Sequence, residues 1–269
     1  MKSLGIFPFG QPVKEVVQTD RTKKTVFVLG VYSSAVHARW IGPDGKKLVN
    51  ALAVASEPYI FWRGDQVDKI ICGLDIPSSA GKLEPAETKF NGPSGLTLDE
   101  MFLGPIGVTR EETWLCDLVP HSCVNNGQMH AIERAYTPLI QQYHLPIPSV
   151  PILPRVLADG KRRNEIAGEL DQSKAEIVIL LGDLPIKWFL NYYDHRWEKL
   201  SDFGQTSDTY GTLHKTKLFG REISILPLVH PRQAGKLGAS SELWGRLHQT
   251  WRQKKGKKGL MEHHDHELS

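Results

Sequence analysis

The 269-residue sequence contains few cysteines and no long apolar run. Its three cysteines, Cys72, Cys116 and Cys123, form neither a Cys-x-x-Cys pair nor a Cys/His group with metal-ligand spacing. No apolar stretch approaches the roughly 20 residues that cross a bilayer, and the N-terminus lacks the pattern of a secretory signal. We therefore expect a reduced, cytoplasmic protein with no disulfide framework, no metal or other cofactor, and no membrane partner.

The sequence also has only a small excess of positive charge: 33 Lys and Arg against 30 Asp and Glu give a formal net charge of +3. This mild excess permits a polyanionic partner without requiring one. The 40% of hydrophobic residues are enough for a core, and the length suits a single α/β domain. We predict one domain over residues 1–252, with an N-terminal arm over 1–24 and a disordered Lys- and His-rich tail over 253–269.

The stretch Thr25–Trp40 gives the clearest prediction of local structure in the sequence. Thr25–Leu29 runs without alternation into Gly30, which is typical of a strand covered on both faces. Gly30 permits a sharp turn, and Ser33 and Ser34 are typical N-caps, so a helix is predicted to follow. Backbone N–H groups would then point out of the carboxyl edge of a buried strand, where open α/β sheets bind ligands.

Three further apolar runs predict strands, and helical periodicities separate them. The strands are Thr113–Val119, Glu176–Gly182 and Glu222–His230, and the helical patterns are Met129–Tyr143, Ile166–Ala175, Ile186–Tyr193 and Leu243–Trp251. Strands that alternate with helices predict a three-layer α/β/α sandwich with a central, mostly parallel, four-stranded sheet.

Four short motifs follow one another along these predicted strands. They read Leu-Gly-Val-Tyr-Ser-Ser, Trp-Leu-Cys-Asp-Leu-Val-Pro, Leu-Leu-Gly and Leu-Val-His-Pro. In order and spacing, from about Val26 to Trp251, the sequence resembles the uracil-DNA glycosylase superfamily. The resemblance implies that fold, and a monofunctional enzyme that flips a base out of DNA and hydrolyses its N-glycosidic bond to leave an abasic site. Some branches carry a four-cysteine iron–sulfur cluster, which three cysteines exclude.

The sequence departs from the superfamily at several positions of the implied base pocket. Alignment on Gly30 puts Tyr32 where the water-handling Asp or Asn is usual, and a phenol is a poor general base near neutral pH. Ser34 stands where the uracil-specific branch has a tyrosine that blocks C5 of the pyrimidine. Val54 stands where a phenylalanine usually stacks on the base. The smaller side chains predict space for a substituent at C5.

Asp117 aligns with the asparagine that reads the base. A carboxylate only accepts hydrogen bonds, so it would face the O4 atom of uracil with like polarity but can accept from the amino group of cytosine. If burial raises its pKa, Asp117 can also share a proton with N3 of the base. We therefore expect a C5-substituted cytosine, for example the glucosylated hydroxymethylcytosine of bacteriophage DNA, and a role in antiviral defence rather than housekeeping repair.

The resemblance assigns the remaining roles. His230 would hydrogen-bond O2 of the base as negative charge develops there, with backbone N–H groups after Gly30 adding to this stabilisation. His37 is a reserve candidate for positioning the water. The implied base-binding residues are Gly30, Val31, Ser33, Ser34, His37 and Val54. The candidate DNA-binding residues are Arg39, Arg162, Arg163, Pro231, Arg232, Gln233 and Lys236, with Leu237 as a further residue able to fill the gap left by a flipped base.

Each assignment has a structural alternative. Asp117 suits a surface strand end or a helix cap, His230 a turn, Tyr32 a packed aromatic, His37 a structural position, and the basic residues a solvated surface. Two other function classes also remain open: a uracil or hypoxanthine repair glycosylase, and a non-catalytic DNA-binding descendant. In every case the expected partner is DNA, either double-stranded with a flipped base or single-stranded, and the expected state is a monomer.

Overall fold

A computed structural model of the chain describes residues 4–236 and 241–256. Within them the strands are β1 Val26–Tyr32, β2 Ala35–Ile41, β3 Lys47–Ser56, β4 Lys82–Pro85, β5 Thr113–Val119, β6 Ile177–Leu181, β7 His214–Leu218 and β8 Arg221–Leu228. The α-helical segments are α1 Val67–Cys72, α2 Pro93–Leu98, α3 Asn126–Ala131, α4 Ile140–Tyr143, α5 Gly160–Ser173, α6 Asp183–Pro185, α7 Asn191–Tyr193, α8 Pro231–Ala234 and α9 Glu242–Lys255. Short π-helical segments extend some of them: Asp99–Leu103 follows α2, Ile132–Tyr136 follows α3, and Ile186–Leu190 joins α6 to α7.

The backbone divides into two compact units. The first unit comprises the described residues of Met1–Val16, with Tyr32–Pro93 and Val119–Arg155. The second unit comprises Val17–Val31, Ser94–Leu118 and the described residues of Val156–Ser269.

The second unit is built on a mixed, mostly parallel five-stranded sheet in the order β5-β1-β6-β8-β7. β1 pairs with β6 and β6 with β8 in parallel, whereas β7 is antiparallel to β8. Residues Val26–Leu29 and Val178–Leu181 are fully buried, as expected for strands covered on both faces. This α/β arrangement, with its accompanying helices, is compatible with a three-layer fold.

The first unit contains a separate antiparallel sheet in the order β3-β2-β4. Along β2 the residues Val36, Ala38 and Trp40 are fully buried, while the residues between them are partly exposed. The buried face packs on a core that includes Tyr136, whose hydroxyl accepts the Phe9 N–H at 2.9 Å and donates to the Pro146 carbonyl at 3.0 Å.

The structure corrects three expectations about the fold. The parallel sheet has five strands rather than four, because β7 adds an antiparallel hairpin partner at the β8 edge. Ser33 and Ser34 lead into strand β2 rather than a helix, because Ala35–Ile41 alternates buried and partly exposed residues with the period of a strand. Helix α9 continues to Lys255, which is three residues into the predicted tail, and residues 257–269 with His263, His264 and His266 lie outside the described residues.

Trp251 and the loop that carries Gly211 give a test of how the second unit packs. Gly211 has a φ of +67°, a Cβ added there would overlap the Trp251 ring, and the Trp251 Nε1–H donates to the Gly211 carbonyl at 3.0 Å. Gly220 has a similar φ of +78°, but a Cβ there meets no described atom within 4 Å.

We expect Gly220→Ala to lower the free energy of unfolding by about 1–2 kcal/mol, which is the backbone strain alone. Gly211→Ala should cost roughly 1–3 kcal/mol more, because overpacking is added to that strain. Urea denaturation of both variants measures the difference. Equal losses would show that Trp251 does not pack on the Gly211 loop as described.

Candidate functional site

The second unit places the ends of four strands along one edge of its sheet. β1, β6 and β8 run in parallel, so they end at the same carboxyl edge. β5 lies beside β1, and the Val119 carbonyl accepts the Ser33 N–H at 3.3 Å, so these two strands also end side by side. The four sequence motifs therefore occupy neighbouring strands and end at one edge, which is where open α/β sheets bind ligands.

His230 lies two residues beyond the end of β8 and caps helix α8. Its Nδ1 accepts the backbone N–H of Arg232 at 3.2 Å, so the proton of the neutral imidazole is on Nε2. Burial lowers the pKa of His230 to about 4, and the positive charge of Arg232 acts in the same direction. At neutral pH the side chain is therefore an uncharged hydrogen-bond donor.

Gly182 ends β6 in a conformation that brings this strand close to His230. Its φ of +88° and ψ of −171° suit glycine almost exclusively, and its N–H donates to the Leu228 carbonyl at 2.7 Å. A Cβ on Gly182 would contact the Cβ of His230 at 3.4 Å. The glycine that closes the third motif thus serves the placement of the histidine in the fourth.

Asp117 is 3% exposed on β5, a strand in which every residue is buried. Its neighbours Trp114 and Cys116 face helix α5, because the Trp114 Nε1–H donates to Glu169 at 2.9 Å and Cys116 Sγ lies 3.4 Å from Arg162 Nη2. Alternation along a strand puts Asp117 on the opposite face. Its burial excludes the alternative of a surface strand end.

Arg162, predicted to contact DNA, is directed into the second unit. Its guanidinium donates to the carbonyls of Asp117 at 2.7 Å and Leu118 at 3.1 Å, and it forms an ion pair with Glu165 at 3.1 Å. Only 13% of this side chain is exposed. Arg162 thus holds the backbone at the end of β5, and little of its side chain is exposed for contact with a phosphate.

The other candidate DNA contacts of the second unit have mixed surroundings. Arg163 donates to the Ala158 carbonyl at 2.6 Å, and its guanidinium lies 4.2 Å from the centre of the exposed Tyr192 ring. Gln233 accepts the Ser241 N–H at 2.7 Å. Of the remaining candidates, Pro231 is buried, Arg232 and Lys236 are exposed, and Leu237 lies outside the described residues.

Tyr32 is the last residue of β1, and Ser33 and Ser34 connect it to β2. Ser33 is 1% exposed, and its Oγ has no hydrogen-bond partner in residues 4–236 and 241–256. Tyr32 and Ser34 are partly exposed, and the Ser34 carbonyl accepts a hydrogen bond from the hydroxyl of Ser122.

His37 lies on β2 of the first unit, where the side chain of Asn91 fixes its backbone. Asn91 accepts the His37 N–H at 2.8 Å and donates to the His37 carbonyl at 3.0 Å. Burial lowers the pKa of the His37 imidazole to about 4, so it is neutral at pH 7.

Val54 and Arg39 occupy positions in the first unit that have structural roles. Val54 is fully buried in the core around Trp40 and Trp62, which favours a packing role over base stacking. Arg39 is partly exposed on β2 and lies 3.9 Å from Glu84 on β4.

Gly30 and Val31 lie inside β1, which continues to Tyr32 without a turn at the glycine. Both residues are buried. The strand therefore ends at Tyr32, two residues later than the turn that the sequence predicts at Gly30.

Sequence reasoning missed Asn91 in the first unit and Tyr210 and His248 in the second. Asn91 holds the His37 backbone, and Tyr210 and His248 form buried hydrogen bonds behind the end of β8. None of the three adjoins a motif, and their partners are distant in sequence, so no local pattern marks them.

The sequence matches no protein-family model and no curated protein. In the part of the chain that the structure describes, no three His, Cys, Asp or Glu residues are grouped as metal ligands. Over the same residues, the helices are too short or too polar to cross a membrane.

The buried histidines predict a pH-dependent stability. Below its ordinary pKa of 6.5 a histidine in the unfolded chain binds a proton, whereas buried His248 does so only near its lowered pKa of about 4. Stability should therefore fall as the pH decreases from about 6.5 to about 4, by roughly 3 kcal/mol for this one fully buried group.

Urea denaturation at pH 7.5 and pH 4.5 measures this loss. His248→Gln removes one titrating group, so its free energy of unfolding should depend less on pH than that of the wild type. His195→Gln, at an exposed position, serves as the control. An unchanged pH dependence in His248→Gln would contradict the assignment.

Proposed function

We propose that the protein is a monofunctional DNA glycosylase with a uracil-DNA glycosylase-like, three-layer fold. It flips a C5-substituted cytosine out of DNA and hydrolyses its N-glycosidic bond. The observation that carries the proposal is the uncharged, Nε2-protonated His230 at the same carboxyl edge as buried Asp117. The four motifs that resemble the superfamily end along that edge.

The chemistry of the bond explains why such a histidine suits this reaction. Cleavage leaves negative charge on the departing base and an oxocarbenium-like sugar, so the enzyme gains most from donors aimed at the base oxygen. A fixed Nε2–H donor strengthens its hydrogen bond to O2 as the charge develops. Because the Nδ1 of His230 already accepts the Arg232 N–H, the donor needs no reorganisation during the reaction.

The spacing of the sheet leaves room for a base. β5, β1, β6 and β8 are consecutive, so three interstrand spacings of roughly 4.8 Å, or about 14 Å, separate Asp117 from His230 across the sheet. A pyrimidine with one hydrogen bond at each edge spans roughly 10 Å. We infer from this separation that the two side chains contact opposite edges of one base.

The choice of base rests on Asp117 and Ser34. An ionised carboxylate accepts from the exocyclic amino group of cytosine but meets O4 of uracil with like polarity. The resemblance assigns Ser34 to the C5 side of the base, where a hydroxymethyl side chain replaces a ring. Val54 does not enter this argument because it is packed in a core. Glucosylated hydroxymethylcytosine in phage DNA is the substrate that we infer from these features, and antiviral defence is the corresponding role.

The first test is base release from a panel of DNAs that contain cytosine, uracil, hydroxymethylcytosine or its glucosylated form. We expect abasic product only from the modified DNAs. His230→Ala should lower the rate roughly 10²- to 10³-fold, which is typical for loss of one donor to a developing oxyanion. Exposed His195→Ala is the control and should retain the wild-type rate.

Other results of the panel favour the other function classes. Release from uracil DNA alone indicates a repair glycosylase. Salt-sensitive DNA binding without abasic product from any substrate indicates a binding protein. Either result rejects the proposed activity.

Asp117→Asn tests the base preference separately. An amide offers a donor to O4 and an acceptor to N3–H, so this variant should gain uracil release and lose roughly 10- to 100-fold on modified cytosine. Asp75→Asn makes the same change of charge at an exposed position and should leave the preference unchanged. A variant that keeps the wild-type ratio of rates would show that Asp117 does not read the base.

A further inference from the structure

Tyr210 and His248 are buried polar side chains near the end of β8 that have no part in the mechanism above. His248 on α9 has no exposed surface, and Tyr210 is 3% exposed. The Tyr210 hydroxyl lies 2.8 Å from His248 Nδ1, His248 Nε2 lies 3.0 Å from the Met101 carbonyl, and the Val229 N–H donates to the Tyr210 hydroxyl at 3.1 Å. Three hydrogen bonds thus form one chain within the second unit.

The direction of each bond in this chain is fixed. The Met101 carbonyl can only accept, so His248 carries its proton on Nε2 and leaves Nδ1 as an acceptor. The Tyr210 O–H must then donate to His248 Nδ1, and the oxygen of Tyr210 is free to accept the Val229 N–H. Burial lowers the pKa of His248 and raises that of Tyr210, so both remain neutral and the direction holds at neutral pH.

The chain ends at the residue next to His230. Val229 lies between Leu228, the last residue of β8, and His230. Its N–H is bound by Tyr210, while the adjacent Leu228 carbonyl is bound by the Gly182 N–H at 2.7 Å. The backbone that leads into His230 is therefore tied on two sides.

His248 is itself held by packing. Its ring lies between Phe102 and Trp251, with centroid distances of 4.3 and 5.2 Å. Trp251 in turn donates to the Gly211 carbonyl next to Tyr210. Helix α9 and the loop that carries Tyr210 thus fix each other, and rigid packing of this kind is what a precisely placed side chain requires.

We propose that Tyr210, oriented by His248, is a positioning residue that fixes the Nε2–H of His230 in its productive place. This proposal rests on the proposed role of His230 as the donor to the departing base. Tyr210 does not contact the base. It acts by holding the peptide before His230, and a small displacement of that peptide would move the donor off the base oxygen.

Tyr210→Phe removes the hydroxyl and leaves the Val229 N–H without its partner. We expect kcat for base release, per folded molecule, to fall about tenfold while KM for DNA stays the same, because a displaced His230 donor weakens a hydrogen bond that forms fully only in the transition state. Amide exchange of Val229 should become at least tenfold faster. Tyr136→Phe is the matched control, because this buried tyrosine also bridges a backbone N–H and a carbonyl, but in the first unit.

Two substitutions of His248 separate positioning from general stability. In His248→Asn the amide oxygen replaces Nδ1 as the acceptor for Tyr210, while the bond to Met101 is broken. In His248→Gln the amide nitrogen replaces Nε2 as the donor to Met101, while Tyr210 no longer has its acceptor. Each variant removes one hydrogen bond, but only His248→Gln should reproduce the fall in kcat and the faster Val229 exchange.

Hydrogen exchange at Val229 and the imidazole ¹⁵N shifts of His230 are measured by NMR in the free protein, so they need no substrate. Altered signals in Tyr210→Phe and His248→Gln, with normal signals in His248→Asn and Tyr136→Phe, support positioning even if the wild type releases no base from any DNA. In that case the proposed function alone fails. Unchanged signals in Tyr210→Phe, or equal effects of the two His248 variants, overturn the positioning role whether or not the wild type is active.

Discussion

The neutrality of His230 is the physical condition on which the candidate site depends. Desolvation disfavours the charged form of this partly buried imidazole, and the nearby Arg232 charge acts in the same direction. Because Nδ1 accepts the Arg232 N–H, the single proton of the neutral imidazole is on Nε2. The backbone N–H of a four-residue helix sets the tautomer, and desolvation of the ring keeps it uncharged. A charged imidazole at this edge would attract phosphates without discrimination, whereas a neutral donor contributes most when the base oxygen becomes negative.

Asp117 places a carboxyl group at the same edge of the sheet. A carboxyl group inside a strand whose seven residues are all buried costs stability unless it is well hydrogen-bonded, and a hydrophobic residue would fit this strand more simply. The Arg162 guanidinium binds the carbonyls of Asp117 and Leu118 from the other face of β5, so it holds the backbone of the strand end. A buried carboxyl group that lowers the stability of the fold, on a strand whose backbone is held by hydrogen bonds, is typical of a functional position. This supports the proposal that Asp117 reads the base.

The parts of the fold that follow from local pattern could be predicted, and the parts that depend on distant contacts could not. Val26–Leu29 and Val178–Leu181 belong to continuous apolar runs, which predict their burial on both faces. The serines before Ala35 suit an N-cap and so predict a helix, but the residues from Ala35 to Ile41 form a strand in which His37 and Arg39 alternate with buried residues. Positive charge marked Arg162 for DNA, but its acceptors on β5 lie more than 40 residues away in sequence. No local sequence pattern marks Tyr210 and His248, because their role depends on a hydrogen bond between residues 38 positions apart.

Three contacts constrain His230, and each removes a different freedom. The Gly182 N–H on the Leu228 carbonyl sets where β8 ends relative to β6. The Tyr210 hydroxyl accepts the Val229 N–H and so fixes the position of the peptide that precedes the histidine. The Arg232 N–H donates to Nδ1 of His230 and so fixes its tautomer. These contacts come from a neighbouring strand, a loop supported by α9, and the helix that His230 itself caps. If His230 is the donor that we propose, fixing its place, direction and protonation before the base arrives removes the need for reorganisation at the transition state, and this preorganisation would supply the rate enhancement.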